Sequence, residues 1–121
     1  MKITISEILN AKPVIEELVE QDISIKTAYR LSRIIKELNN ELQTFEEQRQ
    51  KLVHKHGKQV EDAPTGNVVV PEENMEVFQK DLSELLTATL NLNCEPMRVE
   101  EFGDIKIKTS RLLLMDSFLT E

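Results

Sequence analysis

The fold is decided by residues 24–56, which read SIKTAYRLSRIIKELNNELQTFEEQRQKLVHKH and contain neither Gly nor Pro. Ser24 is a residue type that caps helix N-termini, and Gly57 is one that ends helices. Between them, apolar residues recur in steps of three and four with a polar interruption at Arg49: Ala28, Leu31, Ile35, Leu38, Leu42, Phe45 and Leu52. This heptad spacing predicts one helix about 50 Å long, at ~1.5 Å per residue, with a single apolar seam.

The sequence predicts a second, shorter helix from Glu72 to Asn91. Pro71 suits the first turn of a helix, and acidic residues directly after it suit the positive end of the helix dipole. The predicted seam again alternates steps of three and four: Met75, Phe78, Leu82, Leu85 and Thr89. Between the two helices, the turn-forming residues 63–67 lie between strand-like residues, which predicts a β-hairpin within residues 59–70.

Two apolar seams joined by a short connection predict an antiparallel helical hairpin resembling a coiled coil. The end of the long helix then lies beside the start of the second, where opposite charges meet. The predicted pairs bring basic Arg49, Lys51 and Lys55 to acidic Glu72, Glu73 and Glu76. Exposed pairs of this kind contribute only ~0.2–1 kcal/mol each, so the apolar seams must supply most of the stability.

The flanking residues 1–23 and 92–121 are predicted to form a base that covers the start of the long helix. We expect a short strand at Ile3 and Ile5, then a short helix capped by Ser6 or Asn10, with Pro13 in its first turn. Alternating residues 90–93 and 105–108 predict strands that join it in a small sheet, and the C-terminal run 112–119 adds apolar cover. The prediction is one mostly helical α+β domain, residues 1–121, with a hairpin arm at residues 24–91.

Composition and residue spacing argue against several classes of function. The chain has 121 residues, a net charge of −7 and 40% hydrophobic residues, which fits one compact domain without a metal or disulfide. Cys94 has no basic partner nearby, and His54 and His56 point to different sides of a helix, so they cannot share a metal. The sequence predicts no catalytic residue, metal ligand or cofactor, and we expect the protein not to be an enzyme.

One basic stripe is formed by Lys26, Arg30, Arg33 and Lys36. Residues 24–56 carry seven Lys or Arg and four Glu, but the rest of the chain carries a net charge of −10, which weakens attraction to nucleic acid. We therefore rank contact with nucleic acid or an acidic partner below pairing within the chain. The acidic candidates for that pairing are Glu16, Glu17, Glu20, Glu100 and Glu101.

Three apolar residues, Tyr29, Val53 and Leu86, lie beside the predicted seams and widen them. Each helix of a two-helix hairpin has one partner, so a widened apolar stripe stays partly exposed. We interpret these three residues as an interaction surface for a second copy or another protein. Near the start of the long helix, packing against the protein's own termini is the alternative.

Short phrases are distributed along nearly the whole chain: MKITISEILNA at residues 1–11, IKTAYR at 25–30, EEQRQKL at 46–52, GNVVVPEEN at 66–74 and DIKI at 104–107. In this order they resemble a family of small uncharacterised proteins encoded by phages and prophages of Gram-positive bacteria. Thr109-Ser110-Arg111 departs from the acidic or Ser-Pro cap that usually precedes the family's last helix. The resemblance implies a phage origin and the host cytosol, and it contains no catalytic motif.

The sequence therefore predicts a non-enzymatic interaction or structural protein that acts through its helical hairpin on itself or a phage-encoded protein. One alternative is a nucleic-acid-associated or host-inhibiting regulator that uses the basic stripe. Another, from the order of helix, β-hairpin and helix, is a prefoldin-like holdase. No apolar run approaches the ~20 residues of a membrane span, and residues 1–4 open no signal peptide. We expect a protein of the bacterial cytosol without a membrane partner.

Overall fold

The computed structural model describes residues 1–59 and 68–121 and shows a mostly helical α+β fold. The helices are α1 (Ile5–Val19), α2 (Ile25–His56), α3 (Glu72–Thr87) and α4 (Thr109–Leu113). The strands are β1 (Lys2–Thr4), β2 (Lys58–Gln59), β3 (Val68–Val69), β4 (Thr89–Asn91), β5 (Met97–Arg98) and β6 (Leu119–Thr120). Two short 3₁₀ helices, Val99–Phe102 and Asp116–Phe118, complete the base.

Helix α2 has the predicted extent, from a cap at Ser24 to Gly57. The Ser24 hydroxyl accepts a hydrogen bond from the backbone N–H of Thr27 at 3.3 Å. Its buried side chains follow a helical spacing: Thr27, Leu31, Ile34, Leu38 and Phe45. The predicted seam is confirmed at Leu31, Leu38 and Phe45, whereas Ala28 and Ile35 are half-buried.

Helix α1 begins earlier than predicted, and Pro13 lies inside it rather than in its first turn. Thr4, not Ser6 or Asn10, is the cap. Its hydroxyl accepts from the Glu7 backbone N–H at 3.2 Å, and its own N–H donates to the Glu7 carboxylate at 3.3 Å. This reciprocal box satisfies two otherwise unpaired backbone donors. The helix continues through Pro13 because that side chain is exposed, while the opposite face carries a continuous buried apolar stripe.

The sheet of the base differs from the prediction in one strand. The predicted pairing of the first strand with residues near Leu90 is confirmed: β1 pairs antiparallel with β4, and Ile3 lies opposite Leu90, whereas Ile5 begins α1. Because β4 requires extended backbone, α3 ends at Thr87, so the predicted helix to Asn91 is wrong. Residues 105–108 form no strand. β5 and β6 pair in parallel instead, with Met97 opposite Leu119.

The arm ends in the paired strands β2 and β3, which run antiparallel with Lys58 opposite Val69. They match the part of the predicted β-hairpin next to the helices. The predicted turn at residues 63–67 lies outside the described residues.

The hydrophobic core lies where α1 packs against the first half of α2, and the C-terminal segment contributes to the same cluster. Ile8 and Ile15 of α1, together with Met115 and Phe118, are at most 1% exposed and belong to the same cluster as Leu31. The predicted cover of the long helix by the N-terminal helix is therefore confirmed, whereas the C-terminal segment bonds to α1, Ser117 to Glu7 and Arg111 to Glu17. Leu113 and Leu114 of the C-terminal run are exposed instead.

Candidate interaction surfaces

The structure divides the predicted basic stripe, because Arg30 is engaged within the chain. Its guanidinium pairs with the Glu101 carboxylate. Glu101 also accepts from the Arg98 backbone N–H at 2.7 Å, and this bond, with Arg30, lowers the pKa of Glu101 below its ordinary value. One turn earlier, the Thr27 hydroxyl donates to the Glu101 carbonyl at 2.7 Å. These bonds attach the 3₁₀ turn of the base to α2, so Arg30 has a structural role.

The other three basic residues, Lys26, Arg33 and Lys36, remain exposed on the outer face of α2. Within residues 1–59 and 68–121 they form no ion pair. The Arg33 guanidinium lies 6.0 Å from the centre of the Tyr29 ring, within the range of a cation–π contact. Tyr29 is 61% exposed, and Ile25, one turn before it, is 89% exposed.

The end of α2 is joined to α3 by a small cluster around His56. The His56 Nε2 lies 2.8 Å from the Asp81 Oδ2, and the His56 backbone carbonyl accepts from the Asn74 amide at 2.8 Å. The imidazole also meets the Phe78 ring edge to face, with 6.3 Å between ring centres. These contacts fix the antiparallel pairing of the two helices.

The charged pairs of the arm differ from those predicted. Lys55 Nζ lies 4.0 Å from Asp81 on α3, not at the first-turn glutamates. Arg49 forms two hydrogen bonds with Glu46 on its own helix, at 2.8 and 2.5 Å. These bonds lower the pKa of Glu46 to about 2. Because both side chains are largely exposed, the pair stabilises α2 only slightly.

Burial decreases along the arm away from the base. Phe45 is the last buried residue of α2, and in α3, whose residues are all described, no side chain is fully buried. Leu82 and Leu85 of α3 still pack against the core cluster. Four half-buried residues lie further out, and we call them the distal seam: Leu52, Val53, Met75 and Phe78.

The three predicted interaction residues occupy different environments. Tyr29 is exposed on the outer face of α2, and Val53 belongs to the distal seam. Leu86 packs against the core cluster, so it contributes to the fold of the monomer. The prediction missed Ile25, although its spacing of four residues from Tyr29 places both on one helix face. It also missed the role of His56, whose position continues the seam spacing four residues after Leu52.

The remaining chemically active side chains are dispersed. Burial and the nearby Glu37 carboxylate raise the pKa of the Cys94 thiol, which lowers its reactivity. His54 is exposed, whereas His56 faces α3. Across the described ranges, no group of His, Cys, Asp and Glu side chains could hold a metal ion.

No helix within residues 1–59 and 68–121 is both long enough and apolar enough to cross a membrane. Comparison with known proteins gives no significant match to a protein-family model, to a curated protein or to a solved structure.

Proposed function

We propose that this chain is a non-enzymatic interaction protein of a phage or prophage that acts in the host cytosol through its hairpin arm. The observation that supports the proposal most directly is the decrease of burial from the base to the distal seam. Full burial of a large apolar side chain stabilises by ~1.5–3 kcal/mol, and the half-buried seam residues realise only part of this. A partner helix along the arm would supply the rest.

The partner that fits the arm best is a second copy of the same chain. In the distal part of α2, residues 46–56, three Lys or Arg and two Glu give a net charge of +1, whereas α3 carries five acidic residues and only Lys80 as a base. In a two-fold symmetric pair, α3 of one copy can lie against α2 of the other, so opposite charges meet. The result is a four-helix bundle whose core contains both distal seams.

Sedimentation equilibrium of the purified protein tests this self-association. We expect a discrete dimer at micromolar concentration. Val53→Ser should weaken dimerisation by about tenfold or more, because each of the two copies loses the remaining part of the ~1.5–3 kcal/mol that full apolar burial supplies. Leu113→Ser is the matched control, since Leu113 is an exposed apolar residue of the base. A monomer at every concentration, or a dimer that Val53→Ser leaves unchanged, contradicts the proposal.

A second candidate function is nucleic-acid binding through Lys26, Arg33 and Lys36. The observation that favours it is that these three exposed cations have no ion pair in the described part of the chain, and that Arg33 lies 6.0 Å from the exposed Tyr29 ring. The measurement is fluorescence anisotropy with a labelled oligonucleotide at several salt concentrations. The combined Arg33→Ala and Lys36→Ala variant should weaken binding and flatten its salt dependence. An absence of binding at low salt removes this candidate.

A further inference from the structure

The base contains an apolar cavity of about 280 Å³ between the end of α1 and the C-terminal segment. Leu18 and Phe102 form its buried part, and Ile105, Ile107, Leu112 and Leu119 are half-buried around it. Gly103 also lines the cavity. Its φ of 69° favours glycine, and the lining residues 105–107 follow directly after this turn. The cavity belongs to neither the arm nor the basic stripe.

The volume of the cavity restricts what it can hold. Ligand pockets typically begin at ~300 Å³, and apolar cavities of ~150 Å³ already accept a ligand the size of benzene. A site of 280 Å³ therefore accommodates one short hydrocarbon chain. Filled with water at ~30 Å³ per molecule, it would hold roughly nine waters, with few polar side chains to bond them.

One charged residue is among those that line the cavity, Lys106. It is exposed, and among residues 1–59 and 68–121 it forms no ion pair. It lies between Ile105 and Ile107, which both line the cavity. An ammonium group at the rim of a hydrocarbon-lined space complements a ligand with an apolar tail and an anionic head.

We propose that this cavity binds a small aliphatic monocarboxylate, with its tail among the Leu, Ile and Phe side chains and its carboxylate at the Lys106 ammonium. A chain of about eight carbons suits a site at the lower end of ligand-pocket volumes. The cavity wall at residues 105–107 lies in no helix or strand, so ligand entry there requires no break in a hydrogen-bonded ladder.

Titration of the full chain with octanoate, followed by the methyl resonances of Leu and Ile in an NMR spectrum, tests the site. We expect saturable shifts at the methyl groups that line the cavity. Hexanoate should bind about 15-fold more weakly, because each methylene contributes about fourfold in affinity. An absence of shifts up to millimolar octanoate overturns the proposal, as do shifts confined to other parts of the molecule.

Variants at the cavity rim test the role of the carboxylate. Lys106→Gln should weaken octanoate binding about two- to fivefold and leave 1-octanol binding unchanged. Lys108→Gln, which removes the same charge from a residue that does not line the cavity, should leave both unchanged. If the two variants have equal effects on octanoate, the carboxylate does not pair with Lys106 and the proposal is wrong.

Ile107→Phe tests whether the ligand occupies the cavity itself. The larger side chain should fill part of the space and weaken octanoate and 1-octanol binding alike by tenfold or more. Thermal unfolding of the same variant shows whether it is folded. A folded Ile107→Phe variant that binds both ligands as well as the wild type overturns the proposal.

Discussion

Thr4 shows how a single side chain sets the start of an element. Its hydroxyl and backbone N–H both bond to Glu7, and this box begins α1 directly after β1. The strand and the helix therefore meet without a loop. Ile3 and Ile5 on either side of Thr4 are both buried, so the cap also holds two core residues in place.

Thr4→Ala should lower the free energy of unfolding by about 1 kcal/mol, because it leaves the Glu7 backbone N–H without its partner. Thr4→Ser keeps the hydroxyl and should retain most of the stability. Urea denaturation of the three proteins measures the difference. Equal stability of the alanine variant and the wild type would show that the capping box does not stabilise α1.

Glu7 makes stability depend on pH. The Ser117 hydroxyl donates to its carboxylate, and with Thr4 it holds the pKa of Glu7 below its ordinary value of 4.5 despite partial burial. Between the lowered pKa and 4.5 the unfolded chain binds more protons than the folded one. The contribution of Glu7 is therefore fully present above pH 4.5 and is lost as the pH falls through the folded-state pKa.

Glu7→Gln should reduce the loss of stability on acidification, since glutamine has no proton to bind in this range. Urea denaturation at a series of pH values, from neutral down through the range in which carboxylates titrate, gives the slope of the free energy of unfolding against pH. Glu20→Gln removes the same charge from an exposed position and serves as the control. If the free energy of unfolding of Glu7→Gln falls with pH as steeply as that of the wild type, Glu7 does not contribute to the pH dependence of stability.

At the scale of elements, the sequence alone predicts both ends of α2, because every local signal indicates the same helix. A serine cap, 32 helical residues and a terminal glycine indicate the same helix. The end of α3 could not be predicted in this way. It depends on the pairing of Leu90 with Ile3, at the other end of the chain, which local helical spacing cannot show. The strand predicted at residues 105–108 is wrong for a similar reason: β1, its predicted partner, pairs with β4 alone in a two-stranded sheet.

The candidate surfaces likewise include features that local sequence predicts and features that depend on tertiary packing. The position of Arg30 beside Glu101 was among the pairings that charge alone suggested. The His56 cluster was not, because it requires the register of α2 against α3, which places Asp81 and Phe78 at the same level. The residues of each surface could be predicted from spacing, but their partners depend on tertiary register.

Pro13 provides a test of the packing of α1. It removes one backbone hydrogen bond from the helix interior, and its side chain is exposed. Pro13→Ala should raise the free energy of unfolding by about 1–3 kcal/mol, because alanine restores that bond without altering the buried face. Asn10→Ala, also exposed in α1, should raise it by only a few tenths of a kcal/mol. A loss of stability in Pro13→Ala, measured by urea denaturation, would show that the proline shapes the packing of α1.

At the scale of the molecule, the chain combines a buried base with a partly exposed arm. The base holds most of the core cluster, and its helix α1 packs against the start of α2. Beyond Phe45, within the described residues, α2 packs against α3 and β3, and no side chain of α2 or α3 is fully buried there. Local stability follows such a gradient, so the backbone amides of the distal arm should exchange faster than those of the base in an isolated copy.

Hydrogen–deuterium exchange at two protein concentrations, one below and one above the dimer dissociation constant, tests the central claim most directly. We predict that amides of residues 46–56 and 72–81 exchange more slowly at the higher concentration, while those of α1 remain unchanged. Exchange in the arm that does not depend on concentration would contradict self-association through the distal seam. So would new protection confined to the base.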